Sequence, residues 1–465
     1  MAIRPVNATL NAASVEILNA IRDNASVDYQ AVVPTADGTI ESIREIGRIV
    51  TSYVALKNEF LSALYNRIGR VIVTSKIFYN PWEMFKKGML EMGETVEEIF
   101  VNIAKPYQFN QEAAETQFMR REIPDVRSAF HTLNYKKFYK ATISDRELRQ
   151  AFTSMSGVTD LIGRIVDQLY HGANYDEFLT MKYMLGRAIL NGYLCPSDIE
   201  LEDGDSNEEV GKKLVTTAKA VSNLLTFDST EFNIAKVYNH TPKDSQYVII
   251  NSIWDALIDV NVLAAAFNMN KAEFMGHRVL IDSFGNLDNA RLAELFADDP
   301  YNSFTPFTDD EIAALDAIPA VLVDKDFFMI FDNMIEFTED YNGQGLYWNY
   351  WYHTWKTFSF SPFANAVVFT LDAATATEVT VTPAEATVNA GDILGLSATV
   401  ETTGFGRKTV TWSVTGAASD ATTITNNGVL TVGIDETAEE LTVTATSDLD
   451  DTVSGTCTVT VVPAE

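Results

Sequence analysis

The side chains that most often carry chemistry are sparse in this sequence and follow no familiar catalytic pattern. No histidine lies at metal-ligand spacing from another histidine, a cysteine or a glutamate; the five are His131, His171, His240, His277 and His353. Asp203–Glu209 begins like a calcium loop, but Glu208 stands where the turn glycine belongs and Leu214 where the closing glutamate belongs. The sequence also has no HExxH motif, nucleophile elbow or dinucleotide-binding glycine pattern. We therefore predict no catalytic, metal or cofactor site, and a protein that is not an enzyme.

The densest group of unusual side chains is an aromatic run within Gly345–Phe369. Its central members are Trp348, Tyr350, Trp351, Tyr352 and Trp355. In a strand, Trp351 and Trp355 would lie on one face, and the other three on the opposite face. A carbohydrate platform would need one exposed face, whereas this run is aromatic on both. The pattern therefore favours a structural strand that is covered on both sides, in part by neighbouring subunits.

The charge balance is strongly acidic, with 34 Lys and Arg against 64 Asp and Glu, a formal net charge of −30. Such a surface repels phosphate backbones, and no basic cluster offers the counterion release on which DNA binding depends. Solubility alone would explain this charge, and so would a protein that sits beside nucleic acid without binding it. We see no membrane-spanning run and no secretory signal. Two distant cysteines, Cys195 and Cys457, are typical of a reducing cytoplasm.

The predicted secondary structure changes near Leu371, from long helical patterns before it to short alternating segments after it. Before it, Ser144 and Glu147 form a capping box, and apolar residues recur at helical spacing behind them until Gly172. The segment that begins at Pro81 instead combines glycines, alternating apolar residues and dense charge, which is typical of an extended loop. The predicted elements are helices over Asp145–His171, Asn174–Asn191 and Val260–Met275, a strand at Arg278–Asp282, and an extended loop over Pro81–Pro124.

After Leu371 the sequence becomes rich in Thr, Val and Ala, with short alternating segments between turn residues. This pattern predicts a small antiparallel sandwich, in which Trp412 would be the core tryptophan. The Val-Thr-Trp motif at 410–412, Gly391 and the run Asn427–Leu430 resemble bacterial Ig-like domains of group 2. The resemblance covers Thr377–Pro463 and implies a second, all-β domain over residues 372–465.

Several blocks of the larger part resemble, in the same order, the major capsid proteins of phi29-like tailed phages. The blocks are Phe85–Met89, Gly93–Phe100, Arg121–His131, Ala266–Gly276, Ala320–Asn333 and Gly345–Phe369. Together with the final module, they span most of Ile68–Pro463.

The resemblance implies an α+β, HK97-like capsid fold over residues 1–371. This fold would comprise an N-terminal arm region at about 1–67, an extended loop at 81–124 that lies across a neighbour, a spine helix at 145–171, and peripheral and axial domains. Segment 283–319 looks longer than its counterpart in the family. The inter-subunit contacts that we predict on this basis are Phe85, Lys86, Lys87, Glu94, Glu97, Glu98, Arg120 and Arg121.

The function implied is a structural head protein that self-assembles into the icosahedral or prolate shell around phage DNA. Its partners would be further copies in hexameric and pentameric capsomers, a scaffolding protein, and the portal or connector. Assembly would be non-covalent, the DNA would be enclosed without specific binding, and no membrane would take part. The chain would be made in the host cytoplasm and located in the virion head.

Three alternatives remain open on the sequence alone. A regular repeat in the sequence would favour a phage tail or fibre protein, and none is found. A bacterial surface adhesin would also carry an Ig-like module, with a signal peptide and an anchor. A carbohydrate-binding protein would use the aromatic strand 347–360 as its platform.

Overall fold

The computed structural model describes residues 6–68, 78–90, 95–104, 106, 124–152, 157–202, 205–258 and 277–462. The helices are α1 (Val6–Asn24), α2 (Val27–Val32), α3 (Ile40–Ser52), α4 (Val54–Ile68), α5 (Asp145–Ala151), α6 (Gly157–Leu190), α7 (Asn207–Leu224), α8 (Ser252–Leu257), α9 (Asn289–Leu295) and α10 (Asp309–Asp316). In the described part of the chain, no helix is both long and apolar enough to cross a membrane.

The strands fall into two groups, separated near residue 371. The first group is β1 (Lys86–Met89), β2 (Thr95–Val101), β3 (Val126–Thr132), β4 (Tyr135–Ser144), β5 (Cys195–Asp198), β6 (Gln246–Asn251), β7 (Arg278–Ile281), β8 (Ala320–Asp324), β9 (Phe328–Asn342), β10 (Tyr347–Phe360) and β11 (Ala366–Thr370). The second is β12 (Thr375–Thr382), β13 (Glu385–Asn389), β14 (Ile393–Gly395), β15 (Ser397–Thr403), β16 (Val410–Thr415), β17 (Thr423–Ile424), β18 (Val429–Thr431), β19 (Glu440–Ser447) and β20 (Ser454–Val462). The mixture of helices and sheets confirms the predicted α+β class.

A four-stranded sheet in the order β1-β9-β10-β4 carries the aromatic run. Strand β10 pairs antiparallel with β9 on one side and with β4 on the other, from Tyr347 to Lys356. On the inner face, Trp348, Tyr350 and Tyr352 are buried in one core together with residues of helices α1, α3 and α4. Residues 6–68, the predicted arm region, therefore form a helical layer that packs against this sheet.

The predicted helix over Asp145–His171 needs correction. The capping box at Ser144 is present, but the helix that it starts, α5, ends at Ala151. A separate helix, α6, runs from Gly157 to Leu190, about 50 Å at 1.5 Å per residue. It passes straight through Gly172, where the sequence pattern predicted an end.

Packing explains why a glycine occurs inside α6. A Cβ atom built on Gly172 would lie 3.3 Å from the Tyr139 ring of β4, closer than most side-chain contacts. The glycine therefore lets the helix approach the sheet, and it does not end the helix. The helix predicted over Val260–Met275 lies outside the described residues, whereas the strand predicted after it is present as β7.

A second, mixed sheet has the order β5-β11-β8-β6-β7. Its central strand β8 is buried along its whole length, as a continuous apolar run predicts. Val321 and Val323 pack into the core that contains α6, while Ala320 and Leu322 pack into the core that contains α7. The sheet is therefore covered on both faces and forms a rigid base beside the aromatic sheet.

The residues after 371 form three small sheets around a core of their own. We call this part the C-terminal module. Its fully buried centre is formed by Leu441, Val443, Ala445, Cys457 and Val459. Trp412 is only half-buried, because its strand β16 lies at the edge of the sheet β13-β20-β19-β16. Trp412 therefore packs against the side of this core.

Candidate functional site

Strands β2 and β3 form a two-stranded antiparallel ribbon; β2 lies within the predicted extended loop, and β3 begins two residues after its end at Pro124. The pairing runs in unbroken register from Thr95 opposite Thr132 to Val101 opposite Val126. Both strands alternate between exposed and more buried residues, so the ribbon has an inward and an outward face. A two-stranded ribbon alone is marginally stable in water, so its inward face requires support from the rest of the subunit.

Buried hydrogen bonds join the inward face to the end of β10. The two ring nitrogens of His131 lie 3.1 Å from Glu98 Oε2 and 2.8 Å from Ser359 Oγ. The Ser361 hydroxyl donates to Glu98 Oε1 over 2.8 Å. His131 is buried, so these bonds fix the ribbon at one position against the sheet. Glu98, a predicted contact with other subunits, is used within its own subunit.

A second support lies nearer the far end of the ribbon. The ring of Phe100 stacks on that of Phe363, with centroids 5.6 Å apart. The Arg127 guanidinium donates to the carbonyl oxygen of Ala235 and pairs with Asp125 at 3.2 Å. The ribbon is thus held by polar and apolar contacts along its inward face.

The outward face of the ribbon carries four exposed apolar side chains among polar ones. Ile99, Val101, Val126 and Phe130 are 59%, 61%, 54% and 63% exposed. Glu97 is exposed on the same face, opposite Phe130. Contiguous apolar surface of this kind marks an interaction site in soluble proteins. The sequence signal was the alternation in two segments about 25 residues apart, and sequence reasoning did not name these four residues.

Phe85, predicted as an inter-subunit contact, belongs to the core. It is fully buried, and its ring centroid lies 4.7 Å from that of Phe328 and 6.3 Å from that of Trp82. The prediction is therefore wrong for Phe85, because the first residues of the predicted loop pack into the subunit core.

The two lysines after Phe85 also have partners within the subunit. Lys86 Nζ lies 3.2 Å from Glu177 Oε2 and 2.8 Å from Asp332 Oδ2. Lys87 pairs with Asp326 and donates to the carbonyl oxygen of Lys325 over 3.2 Å. Of the remaining predicted contacts, Glu94, Arg120 and Arg121 lie outside the described residues.

Lys356 of β10 completes the cluster at Lys86. It pairs with Glu177 and lies 2.9 Å from Asp332 Oδ1. Burial alone would lower the pKa of Lys356, but the two carboxylates outweigh burial and raise it. Burial would likewise raise the pKa of Asp332, but Lys356 and Lys86 lower it. These ion pairs hold β1, α6, β9 and β10 together.

The outer face of the aromatic strand is partly covered within the subunit. Trp351 and Trp355 are half-buried there. The ammonium groups of Lys140 and Lys136 lie 5.7 Å and 5.0 Å from their ring centroids, within the range of cation–π interactions. These lysines cover part of the rings that a carbohydrate platform would expose, and the sequence analysis did not identify them.

One carboxyl group is held in an unfavourable environment on the inner side of the sheet. Glu339 of β9 lies directly opposite Tyr350 of β10. Burial raises the pKa of Glu339 to about 7, and burial together with this carboxylate raises the pKa of Tyr350. Glu339 Oε2 is buried and has no hydrogen-bond partner among the described residues. Among the residues that the structure describes, no group of three or more His, Cys, Asp or Glu side chains is placed to hold a metal ion.

Comparison with known proteins gives one consistent result. A family model described as "Phi29-like phage major capsid protein" matches residues 18–370. The major capsid protein of Bacillus phage B103 is 34% identical over 440 residues, which cover 94% of this chain and 90% of that protein. The major capsid protein of Bacillus phage GA-1 is 33% identical over 398 residues, covering 84% and 76%.

Among solved structures, a chain from the capsid of Staphylococcus phage Andhra is similar, with a TM-score of 0.49 and 17% sequence identity. The match covers 65% of this chain and 87% of that chain. The family match covers most of the residues that form the ribbon, the long helix and both sheets. The chain therefore belongs to the family of Phi29-like phage major capsid proteins.

Proposed function

We propose that many copies of this chain assemble into a closed icosahedral or prolate shell, with the outward face of the ribbon lying on a neighbouring subunit. The observation that carries this proposal is the two-sided ribbon. Its inward face is fixed by His131 and Phe100, while its outward face exposes four apolar side chains. Specific hydrogen bonds hold these apolar side chains at the surface, and exposed apolar patches of this kind mark protein–protein contacts.

The wider architecture supports an HK97-like plan for residues 1–371. We assign helix α6 as the spine helix, in place of 145–171, and the aromatic sheet as the peripheral domain that packs against it. The second sheet, β5-β11-β8-β6-β7, would belong to the axial domain at capsomer centres. Residues 81–124 remain the proposed extended loop; they contain β1 and β2, and β3 follows them as the second strand of the ribbon. Hexameric and pentameric capsomers would follow from contacts between different faces of successive copies, which close into rings.

The C-terminal module supports the assignment of residues 372–465 as a bacterial Ig-like domain of group 2. It has short antiparallel strands, a separate apolar core and the Val-Thr-Trp strand at its edge. Such a module serves binding or spacing and has no chemistry of its own.

The charge supports a shell wall that encloses DNA without binding it. The net charge of −30 repels phosphate, so packaged DNA would not adhere to the wall. We further propose a scaffolding protein and a portal as assembly partners, production in the host cytoplasm, and no enzymatic role.

Electron microscopy of the full chain, expressed with and without the scaffolding protein of the same phage, tests the proposal. We expect closed shells of uniform curvature in at least one condition. The double variant Val101→Asp/Phe130→Asp places two charges on the outward face of the ribbon and should give folded subunits that form no shells. Ile434→Asp is the matched control, since Ile434 is 77% exposed but lies in the C-terminal module.

The outcomes separate the two parts of the proposal. Normal shells from the double variant would show that the ribbon face is not an assembly contact. Dispersed subunits or fibres from the unaltered chain in both conditions would contradict the shell function itself. Circular dichroism of each variant establishes that its subunit is folded.

A further inference from the structure

The loop at residues 233–238 lies between the C-terminal module and the ribbon. Its conformation is specific, because Lys236 has φ +50°, in the left-handed region that side chains other than glycine rarely adopt. Asn233 maintains the turn by accepting from Val237 N and donating to Val237 O, each over 2.8 Å. A turn held in this way fixes the direction in which the neighbouring residues point.

On one side, the loop holds the C-terminal module. Lys236 Nζ donates to Thr411 Oγ1 over 2.9 Å and pairs with Asp448. Arg407 of the module donates to the carbonyl oxygen of Asn233 over 3.1 Å. The Asp448 side chain is only 7% exposed, and its second oxygen is buried with no hydrogen-bond partner among the described residues. Lys236 therefore pairs with a buried carboxylate, where removing one partner of an ion pair is costly.

On the other side, the same loop holds the ribbon. The carbonyl oxygen of Ala235, one residue before Lys236, accepts from Arg127 of β3. Tyr238 N donates to Asn102 Oδ1, just after β2, over 3.3 Å. Residues that contact the module and residues that contact the ribbon thus alternate along six positions of one short loop.

The module and the ribbon also line one cleft together. A cleft of about 730 Å³ lies between them, lined by Val126–Ser128 on the ribbon side and by Trp412 and Asn427 on the module side. Loop residues Ile234–Lys236 line the same cleft, so the loop connects its ribbon side to its module side.

We propose that Lys236 is a positioning residue: through its ion pair with Asp448, the C-terminal module holds the loop at 233–238, and the loop holds the ribbon in the orientation used for assembly. This inference rests on the proposed function only for the last step, the use of the ribbon in assembly. The mechanical connection between module and ribbon can be tested in the unassembled subunit.

Hydrogen exchange of the full-length, unassembled chain tests the connection. In Lys236→Met, which keeps the side-chain length but removes the charge, amides at 99–102 and 126–128 should exchange at least about tenfold faster than in the unaltered chain. Amides of β19 and β20 should be unchanged, which shows that the module is still folded. Lys219→Met, at an exposed position of α7, is the matched control and should change neither region.

A charge exchange provides the second arm of the test. Lys236→Asp combined with Asp448→Lys restores an ion pair of reversed polarity, and Asp tolerates the left-handed conformation well. We expect this double variant to recover most of the ribbon protection and the rate of shell formation that Lys236→Met loses. Unchanged ribbon exchange in Lys236→Met would overturn the inference. If the unaltered chain formed no shells, the proposed function would fail while the exchange result remained valid.

Discussion

The ammonium groups of Lys86 and Lys356 share the same two carboxylates, those of Glu177 and Asp332. Four elements of the subunit meet at this point: the strand that leads into the extended loop, the long helix and two strands of the aromatic sheet. Asn80 adds a hydrogen bond of 2.6 Å to the free oxygen of Glu177. Strand β1, near the start of the predicted loop, is therefore fixed to the subunit by buried charges.

Removing one charge from this cluster should be strongly destabilising. In Lys356→Met, two buried carboxylates would share the single ammonium group of Lys86. We expect the free energy of unfolding to fall by about 3–5 kcal/mol, the usual cost of an uncompensated buried charge. Chemical denaturation measures this loss. Lys356→Met/Asp332→Leu removes one charge of each sign and should recover part of it; a loss below about 1 kcal/mol in the single variant would contradict the expectation.

The contact between α3 and Phe152 should not tolerate even one added methyl group. A Cβ on Gly47 would lie 2.2 Å from the Cβ of Phe152, so one of the two backbones must move. We expect Gly47→Ala to lower stability by about 1–3 kcal/mol through overpacking, although alanine favours helices. Gly395→Ala is the control, since nothing lies within 4 Å of its added Cβ. Equal unfolding midpoints for the two variants would show that α3 can shift at no cost.

Glu339 should make the subunit less stable as the pH rises from about 4.5 to about 7. Burial raises its pKa to about 7 from the usual 4.5, so the folded state keeps a proton that the unfolded chain releases in this interval. Glu339→Gln, which stays neutral, should flatten this part of the curve and be more stable than the unaltered chain at pH 8. Unfolding followed between pH 4 and pH 8 checks this. Parallel curves for both proteins would contradict it.

Glu436 should have the opposite effect on the C-terminal module. The Thr422 hydroxyl and the backbone N–H groups of Ala438, Ala418 and Ser419 outweigh its burial and lower its pKa to about 2. The stability that it contributes is therefore complete above about pH 4.5 and is lost as the pH falls towards 2. Glu436→Gln should remove this acid dependence and lower the stability of the module at pH 7. Hydrogen exchange of β19 amides at pH 3 and pH 7 measures both effects.

Local patterns in the sequence predicted local structure well. Ser144 and Glu147 form the capping box that their spacing predicts, and the residues from Tyr347 to Phe360 alternate between faces as a strand should. These features depend on neighbours within a few residues. The function was predicted from the family resemblance alone, because no spacing of side chains indicates a shell.

Features that depend on distant residues were predicted poorly. Gly172 was interpreted as a helix end because the Tyr139 ring that requires it lies 33 positions away. Phe85 and Lys86 were interpreted as exposed loop residues because their partners Phe328, Glu177 and Asp332 lie about 90 to 250 positions further along the chain. Outward residues such as Phe130 show alternation, but alternation does not reveal which face is covered.

Strand β10 belongs to two cores at once. Its first half contributes Trp348, Tyr350 and Tyr352 to the core under the N-terminal helices, and its second half contributes Phe358 to the core around α6. A mechanical force on one core is therefore transmitted to the other through the covalent backbone of β10, and not only through non-covalent contacts. We therefore expect a wall built from such subunits to yield first between subunits and only later within them.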